Sequence, residues 1–288
     1  MAFAVPASLS PSKVESFMTC PLAFRFSAID HLPEAPSAAA TKGTLVHRAL
    51  ELLFCHPAAD RSLAAALDSL DQAVGELQAS PDWPMLALEP LAEAAFVDDA
   101  ELLVRKYFQL EDPTNVRDIG LELRLEVALD DCGDGIGPPT VLRGIIDRLE
   151  LDDDGGLVVT DYKTGRAPGE SYEQRRLGGV HFYAYLCERV FGRRPSRVQL
   201  LYLSDPVAII ARPSEQSIRF LPKKAGALLR AVERACDIGD FRPRQGPLCA
   251  YCGFKQWCPE FGGDPERAAI EAPAAAGLVV AAAAPSAA

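Results

Sequence analysis

Residues 121–129, LELRLEVAL, alternate strictly: five apolar side chains share one parity, and Glu122, Arg124 and Glu126 share the other. Period-two patterning predicts a half-buried strand with those three residues facing solvent. VLRGIIDRLEL (141–151) and LVVTDYK (157–163) read as two more strands, and the DDDGG turn at 152–156 predicts that they form a hairpin. RVQLLYL (197–203) and VAIIARP are further strands. Residues 170–191 and about 222–238 read as helices. The first hundred residues carry a different period. Residues 9–26 open with helix-start chemistry: Ser10 as cap, Pro11 in the first turn, and Ser12 with Glu15 as a capping box. Val14, Phe17 and Met18 then form an apolar stripe that Cys20-Pro21 interrupts. Residues 33–41, PEAPSAAAT, predict a loop, a helix follows over 43–54, and helical Ala/Leu-rich sequence continues to about 110.

Helices first, then a hairpin, a crossover helix and another strand predict an α/β fold. The expected organisation is a single domain over 1–262. It comprises a helical N-terminal part (9–110), a core (119–212) and a helix with a cysteine-bearing lobe (213–262). From about 263 to 288 the Ala/Pro-rich sequence predicts a disordered tail.

Charge refines the picture. The net charge of −11 over 288 residues argues against a general nucleic-acid coat protein. The distribution is uneven, however. Residues 60–112 hold twelve acidic and three basic side chains, whereas 219–258 hold eight basic and three acidic ones. A basic lobe on an acidic protein can still hold a polyanion, particularly with bound cations. The N-terminal sequence lacks the basic and apolar regions of a secretory signal, and the run at 274–284 is too short to span a bilayer. A cytoplasmic chain with no membrane partner is expected, in which thiols stay reduced.

The candidate chemistry lies at strand ends. Asp161 and Lys163 share a strand face with Leu157 and Val159, and Asp147 shares one with Ile145, Leu149 and Leu151. An isolated carboxylate on an apolar face is costly unless paired or bound to metal. The turn at 152–156 would bring Asp147 to Asp161, where a divalent cation resolves their repulsion. Lys163 beside them suits a scissile phosphate or a nucleophilic water. His47, in GTLVHRALELLF, becomes a ligand candidate only as the completion of such a site. Among the eight cysteines, Cys249, Cys252 and Cys258 have the spacing of a metal or cluster site. Cys20 is the candidate fourth ligand, and the spacing leaves zinc and iron–sulfur equally open. Cys55, Cys132, Cys187 and Cys236 read as free, mostly buried thiols.

GTLVHRAL, GIIDRLE and VVTDYKTG, in that order, resemble the RecB-type branch of the PD-(D/E)XK nucleases. The resemblance implies a restriction-endonuclease-like core, a central mixed sheet flanked by helices. It makes His47, Asp147 and Asp161 ligands of Mg²⁺ or Mn²⁺, with the Tyr162 carbonyl as a further ligand, and makes Lys163 catalytic. The family's Gln-x-x-x-Tyr motif corresponds to HFYAY, with His181 in place of glutamine and Tyr185 matching as a possible DNA contact. Iron–sulfur members, including the AddB-like and CRISPR-associated exonuclease groups, take one cysteine before the core and three after it. The resemblance therefore favours a [4Fe–4S] cluster on Cys20, Cys249, Cys252 and Cys258 over Zn²⁺. The implied activity is a DNA exonuclease of repair or recombination. A separate helicase is a plausible partner, since no Walker A loop occurs in the sequence. The rival expectation is a non-catalytic DNA-binding or assembly module held by the cysteine site. Lys223, Lys224, Arg230, Arg242, Arg244 and Lys255 are candidate phosphate contacts, and Phe254 and Trp257 are candidates for base stacking or for packing.

Overall fold

A computed structural model of the protein describes residues 3–129, 140–167 and 169–271. In chain order the elements are β1 (Ser8–Leu9), α1 (Pro11–Thr19), α2 (Pro21–Phe24), α3 (Ala38–Phe54), α4 (Leu63–Gln78), α5 (Asp82–Met85), α6 (Pro90–Tyr107), β2 (Arg117–Ala128), β3 (Val141–Leu151), β4 (Leu157–Lys163), α7 (Glu170–Phe191), β5 (Arg197–Tyr202), β6 (Val207–Ala211) and α8 (Glu215–Ile238). Two compact units contain them: Pro36–Glu126 with Gly144–Ile218, and Met1–Ala35 with Val127–Arg143 and Arg219–Ala288.

The first of these units is built on a mixed sheet. β3 and β4 form the antiparallel hairpin that the DDDGG turn predicts, with Arg148 opposite Thr160 and Leu151 opposite Leu157. Gly155 takes the left-handed φ of +74° that lets the turn close, and Gly156 N–H donates to Asp152 Oδ1 at 2.6 Å. β4 then pairs parallel with β5, and α7 makes the crossover. β5 pairs antiparallel with β6, and β2 pairs with β3. Helices α3, α4 and α6 bury Leu45, Leu50, Leu70 and Val104 in one cluster with Tyr162 and Leu201 from β4 and β5. α7 contributes the buried Val180, Phe182 and Leu186. β4 is buried along Leu157–Tyr162, so both of its faces are covered. This is the α/β architecture the pattern predicts, with the central mixed sheet flanked by helices that the resemblance implies.

The other unit has its own core. Phe24 and Phe26 pack with Val232, Cys236, Phe254 and Trp257. β1 pairs parallel with the first residues of β3, Val141 and Leu142.

Three boundaries differ from the sequence reading. α3 begins at Ala38 rather than 43, because Ser37 accepts from Ala40 N–H at 3.2 Å and caps the alanines read as loop. At α1 the cap is Ser10, as the sequence reading has it, accepting from Lys13 N–H at 3.2 Å, whereas Ser12 and Glu15 lie inside the helix and do not form the expected capping box. α8 begins at Glu215 and runs through Pro222. A proline inside a helix costs about 3 kcal/mol. Burial of Leu221, Ala225, Leu229 and Val232 offsets that cost. Residues 265–271, expected in the disordered tail, are helical. Ala268 is buried there, and Arg25 reaches Glu266 at 3.1 Å. Residues 272–288 and Cys132 lie outside the described residues.

Candidate active site

The β3–β4 ladder stops at Arg148 and Thr160, just before the two aspartates. Beyond it, Tyr162 N–H donates to the Asp147 side chain, at 2.7 Å to Oδ2, instead of to a backbone carbonyl. Asp147 is 9% exposed and Asp161 6%. The Lys163 ammonium pairs with Asp161 Oδ2. α3 delivers His47, whose Nε2 lies 3.0 Å from the Tyr162 carbonyl oxygen and whose Nδ1 lies 3.5 Å from Asp147 Oδ2. Only a donor satisfies the carbonyl, so we assign the ring proton to Nε2, which leaves the Nδ1 lone pair toward Asp147. Two acceptors then face each other, an arrangement that a shared proton or a cation relieves. Gly43, one turn before His47, lets α3 approach the end of β4. A Cβ there would lie 3.3 Å from Thr164 Oγ1.

The sequence reading is corrected at Glu122. Ligand atoms of His47, Glu122 and Asp147 all lie within 4.8 Å of one another. Glu122 is an exposed residue, as alternation predicts, but its carboxyl belongs to the cluster. Its φ of +43° is left-handed, and the burial alternation of β2 slips by one residue between Gly120 and Leu121. A local irregularity of this kind re-aims a side chain and is favoured beside functional sites. The interrupting Gly120 was the available signal in the sequence.

Electrostatics express the crowding. Burial, then the charge of Asp161, push Asp147 up to about 7. Burial, then Asp147, push Glu122 up to about 7. Burial lowers His47 despite Asp161 and Glu122, which keeps the imidazole neutral and able to ligate. For Lys163, burial acts downward, but Asp161 and Asp147 outweigh it and hold the ammonium above its ordinary value. The set is thus acidic oxygens, a neutral imidazole and a firmly charged lysine, a donor set that fits a hard divalent cation.

α7 places its tyrosines differently from the motif reading. Tyr185 is 7% exposed and packs in the interior, a position that suits packing more than contact with DNA, and His181 is half-buried. Tyr183, between them, lies in the field of the site. Its phenol is held far above its ordinary value by burial, then by Asp161, Asp147 and Glu122. Gly144 makes room for it, since a Cβ there would lie 3.1 Å from Tyr183 Cε1 and 2.7 Å from Leu186 Cδ1.

In the other unit, Cys20 sits at the α2 cap, Cys249 lies in a 3₁₀ turn, Cys252 caps the end of that turn and Cys258 lies between the two 3₁₀ turns that follow. Arg244 N–H donates to Cys20 Sγ at 3.5 Å, and Gly246 N–H donates to Cys249 Sγ at 3.4 Å. Burial, and then chiefly Cys20 and Cys249, raise the Cys252 thiol, and burial with Cys20 raises Cys258. Four thiols in one another's field, with amide donors to two of them, fit a thiolate-bound metal group. Phe254 and Trp257 are buried in the core beneath, so packing is their role. Arg242 pairs with Asp240 at 3.0 Å. Cys187 and Cys236 are buried, and Cys55 is exposed.

Comparison with known proteins bears on the fold and the family. A structure from Eubacterium rectale, of a protein named only provisionally as an exonuclease, superposes with a TM-score of 0.52 at 10% identity. The match covers 85% of this chain and 87% of that one. The crystal structure of SSO0001 matches at 14% identity and a TM-score of 0.42, over 88% of this chain and 86% of that one. No curated protein matches the sequence. The family model of the PD-(D/E)XK nuclease superfamily matches residues 8–259. Those residues take in GTLVHRAL, GIIDRLE, DYKTG and all four cysteines of the proposed set, and the chain belongs to the PD-(D/E)XK nuclease superfamily.

Proposed function

We propose that the protein is a Mg²⁺- or Mn²⁺-dependent DNA exonuclease of the RecB type, working in repair or recombination with a separate helicase. The observation that carries this reading is the convergence of His47, Glu122 and Asp147 within 4.8 Å, with the Asp161–Lys163 pair on the adjoining strand. His47 Nδ1, Glu122, Asp147 and Asp161 would hold the cation. The Tyr162 carbonyl already accepts from His47, and its second lone pair remains for a ligand role. A divalent cation supplies charge for the scissile phosphate and acidifies the attacking water. The chain's own residues do the rest. Asp161 orients the Lys163 ammonium, which stays protonated and can bind a non-bridging phosphate oxygen and stabilise charge building on it. Neutral His47, fixed by the Tyr162 carbonyl, keeps its free nitrogen inward. The intact acidic set speaks against a purely structural binding module.

The cysteine set is read as the ligands of a [4Fe–4S] cluster. The likeness of the Cys…Cys-x2-Cys-x5-Cys pattern to that of the iron–sulfur members of this nuclease branch supports that reading over Zn²⁺.

The test is digestion of end-labelled single- and double-stranded DNA with Mn²⁺ or Mg²⁺, using anaerobically purified protein beside Lys163→Ala. Cleavage by the wild type that falls about 10²–10³-fold in the variant places the chemistry at DYKTG. Equal cleavage by both proteins would refute the reading.

A further inference from the structure

Directly behind the acidic site, on the other face of the same two strands, lies a second polar cluster, built on motif positions to which the metal-site reading gives no side-chain role. Arg148 is fully buried, at 0% exposure. Its guanidinium forks onto Glu111, with Nη1 at 2.5 Å from Oε1 and Nη2 at 3.0 Å from Oε2. Nε donates to Glu150 at 2.6 Å, and Nη1 donates to Tyr162 Oη at 2.8 Å. Tyr107 Oη donates to Glu111 at 2.6 Å, and Gln199 donates to Thr160 at 2.7 Å, which closes the network. The guanidinium also stacks 4.5 Å over the Phe54 ring.

Stability is a weak reason for such a cluster. Replacing a buried ion-pair group with apolar residues of similar size is often neutral or stabilising. What a forked, fully partnered arginine supplies is a single register. Here the register has one beneficiary. Side chains alternate, so Arg148 and Tyr162 point away from Asp147 and Asp161 while sharing their backbone. The Tyr162 peptide is the piece that both faces use. Its N–H holds Asp147, its carbonyl holds His47, and its phenol is held by Arg148. The Tyr162 ring is fixed on two sides, edge-on to His47 at 5.8 Å and to Tyr107 at 5.9 Å.

We propose that Arg148 and Tyr162 are positioning residues of the nuclease site. Their buried hydrogen bond fixes the Tyr162 peptide and, through it, the Asp147 carboxylate and the His47 imidazole. The proposal rests on the metal-dependent nuclease reading given above. It makes the phenol oxygen of Tyr162 important to metal affinity although that atom lies on the far side of the strand.

The experiment compares wild type, Tyr162→Phe and Arg148→Lys, using Mn²⁺ titration calorimetry and DNA-cleavage kinetics at a temperature where circular dichroism shows all of them folded. Tyr162→Phe keeps the ring and removes only the bond to Arg148. Arg148→Lys keeps the charge against Glu111 and Glu150 but loses the fork. The expected result is a Mn²⁺ Kd raised 10–100-fold in Tyr162→Phe, with kcat reduced and KM for DNA unchanged. A smaller change in the same direction is expected for Arg148→Lys. A purely structural role would lower the melting temperature and leave Kd and kcat alone, and that result in Tyr162→Phe overturns the proposal. If Arg148→Lys does not fold, Tyr162→Phe decides alone. Wild-type protein that binds no Mn²⁺ overturns the metal reading and this proposal together. Wild type that binds Mn²⁺, matched by its Tyr162→Phe variant, overturns the positioning role only.

Discussion

Asp147→Asn should make the metal-free protein more stable at alkaline pH while abolishing its chemistry. Asp147 has an ordinary value of 3.8 and is pushed up to about 7 by burial and then by Asp161. The folded state therefore holds a proton that the unfolded state releases. Its contribution to stability is fully present below about pH 4 and is lost as pH rises through 7. At 1.36 kcal/mol per pH unit the loss is at most about 4 kcal/mol. Asp147 is buried beside a second carboxylate, and half of that ceiling, about 2 kcal/mol, serves as the working figure. Asparagine never ionises. Its Oδ1 can take the place of Asp147 Oδ2 and still accept from Tyr162 N–H. In EDTA at pH 8 the variant should melt about 5 °C above the wild type, from roughly 2–4 °C per kcal/mol for chains of this size class. At pH 5 the gap should shrink to roughly a third of that, since the loss accrues steadily between about pH 4 and 7. Added Mn²⁺ should raise the wild-type melting temperature and leave the variant unchanged, since only a cation bound to the folded state stabilises it. Differential scanning calorimetry across pH 5–8 reads all three results. A variant equally destabilised at pH 5 and pH 8 would refute the reasoning, because the cost would then be packing and not charge.

Glu122→Gln should raise the Mn²⁺ Kd about 10–100-fold with little change in melting temperature, measured by calorimetry, because the residue is exposed and acts only through its carboxyl. Gly144→Ala should destabilise by about 1–3 kcal/mol in urea unfolding, since its Cβ would meet Leu186 at 2.7 Å and Tyr183 at 3.1 Å. Activity should fall with it if Tyr183 must keep its place near the carboxylates. Cys20→Ser should lose most of the iron and acid-labile sulfide of the anaerobically purified protein and expose the 249–258 turns to protease, whereas Cys55→Ser, at an exposed thiol, should lose neither.

What the sequence revealed and what it hid divide along physical lines. Asp147, Asp161 and Lys163 were legible because one strand period and one tight turn are enough to bring them together. His47 depended on the resemblance, since a lone histidine on a helix carries no signal of its own. Glu122 was hidden because alternation placed it outside, and only a left-handed φ in mid-strand brings its carboxyl back. The Arg148 cluster was hidden for another reason: its partner Glu111 is 37 residues away, and Gln199 reaches Thr160 across 39. Local patterning cannot see such pairs. Ile146, Arg148 and Glu150 do share a strand parity, and charges on a parity that begins apolar were the trace left in the sequence. The helix ends moved where local bonding or packing outweighed composition: Ser37 extended α3 through the alanines that follow Pro33 and Pro36, and the apolar face of α8 overrode Pro222.

The unit that holds the cysteine set is assembled from three separate stretches of chain, Met1–Ala35, Val127–Arg143 and Arg219–Ala288. During synthesis Cys20 leaves the ribosome 224 residues before Arg244, whose amide meets its sulfur. At about 5–20 residues per second that interval is on the order of ten to fifty seconds. The other unit ends at Ile218 and can collapse on the nascent chain within that time. Cys20 spends the same interval as a bare thiol with none of its companions yet made. If the cysteine set holds the group proposed above, its loading is a late event in the life of each molecule, and a polypeptide released before Cys249 carries the residues of the acidic site without the full set of thiols.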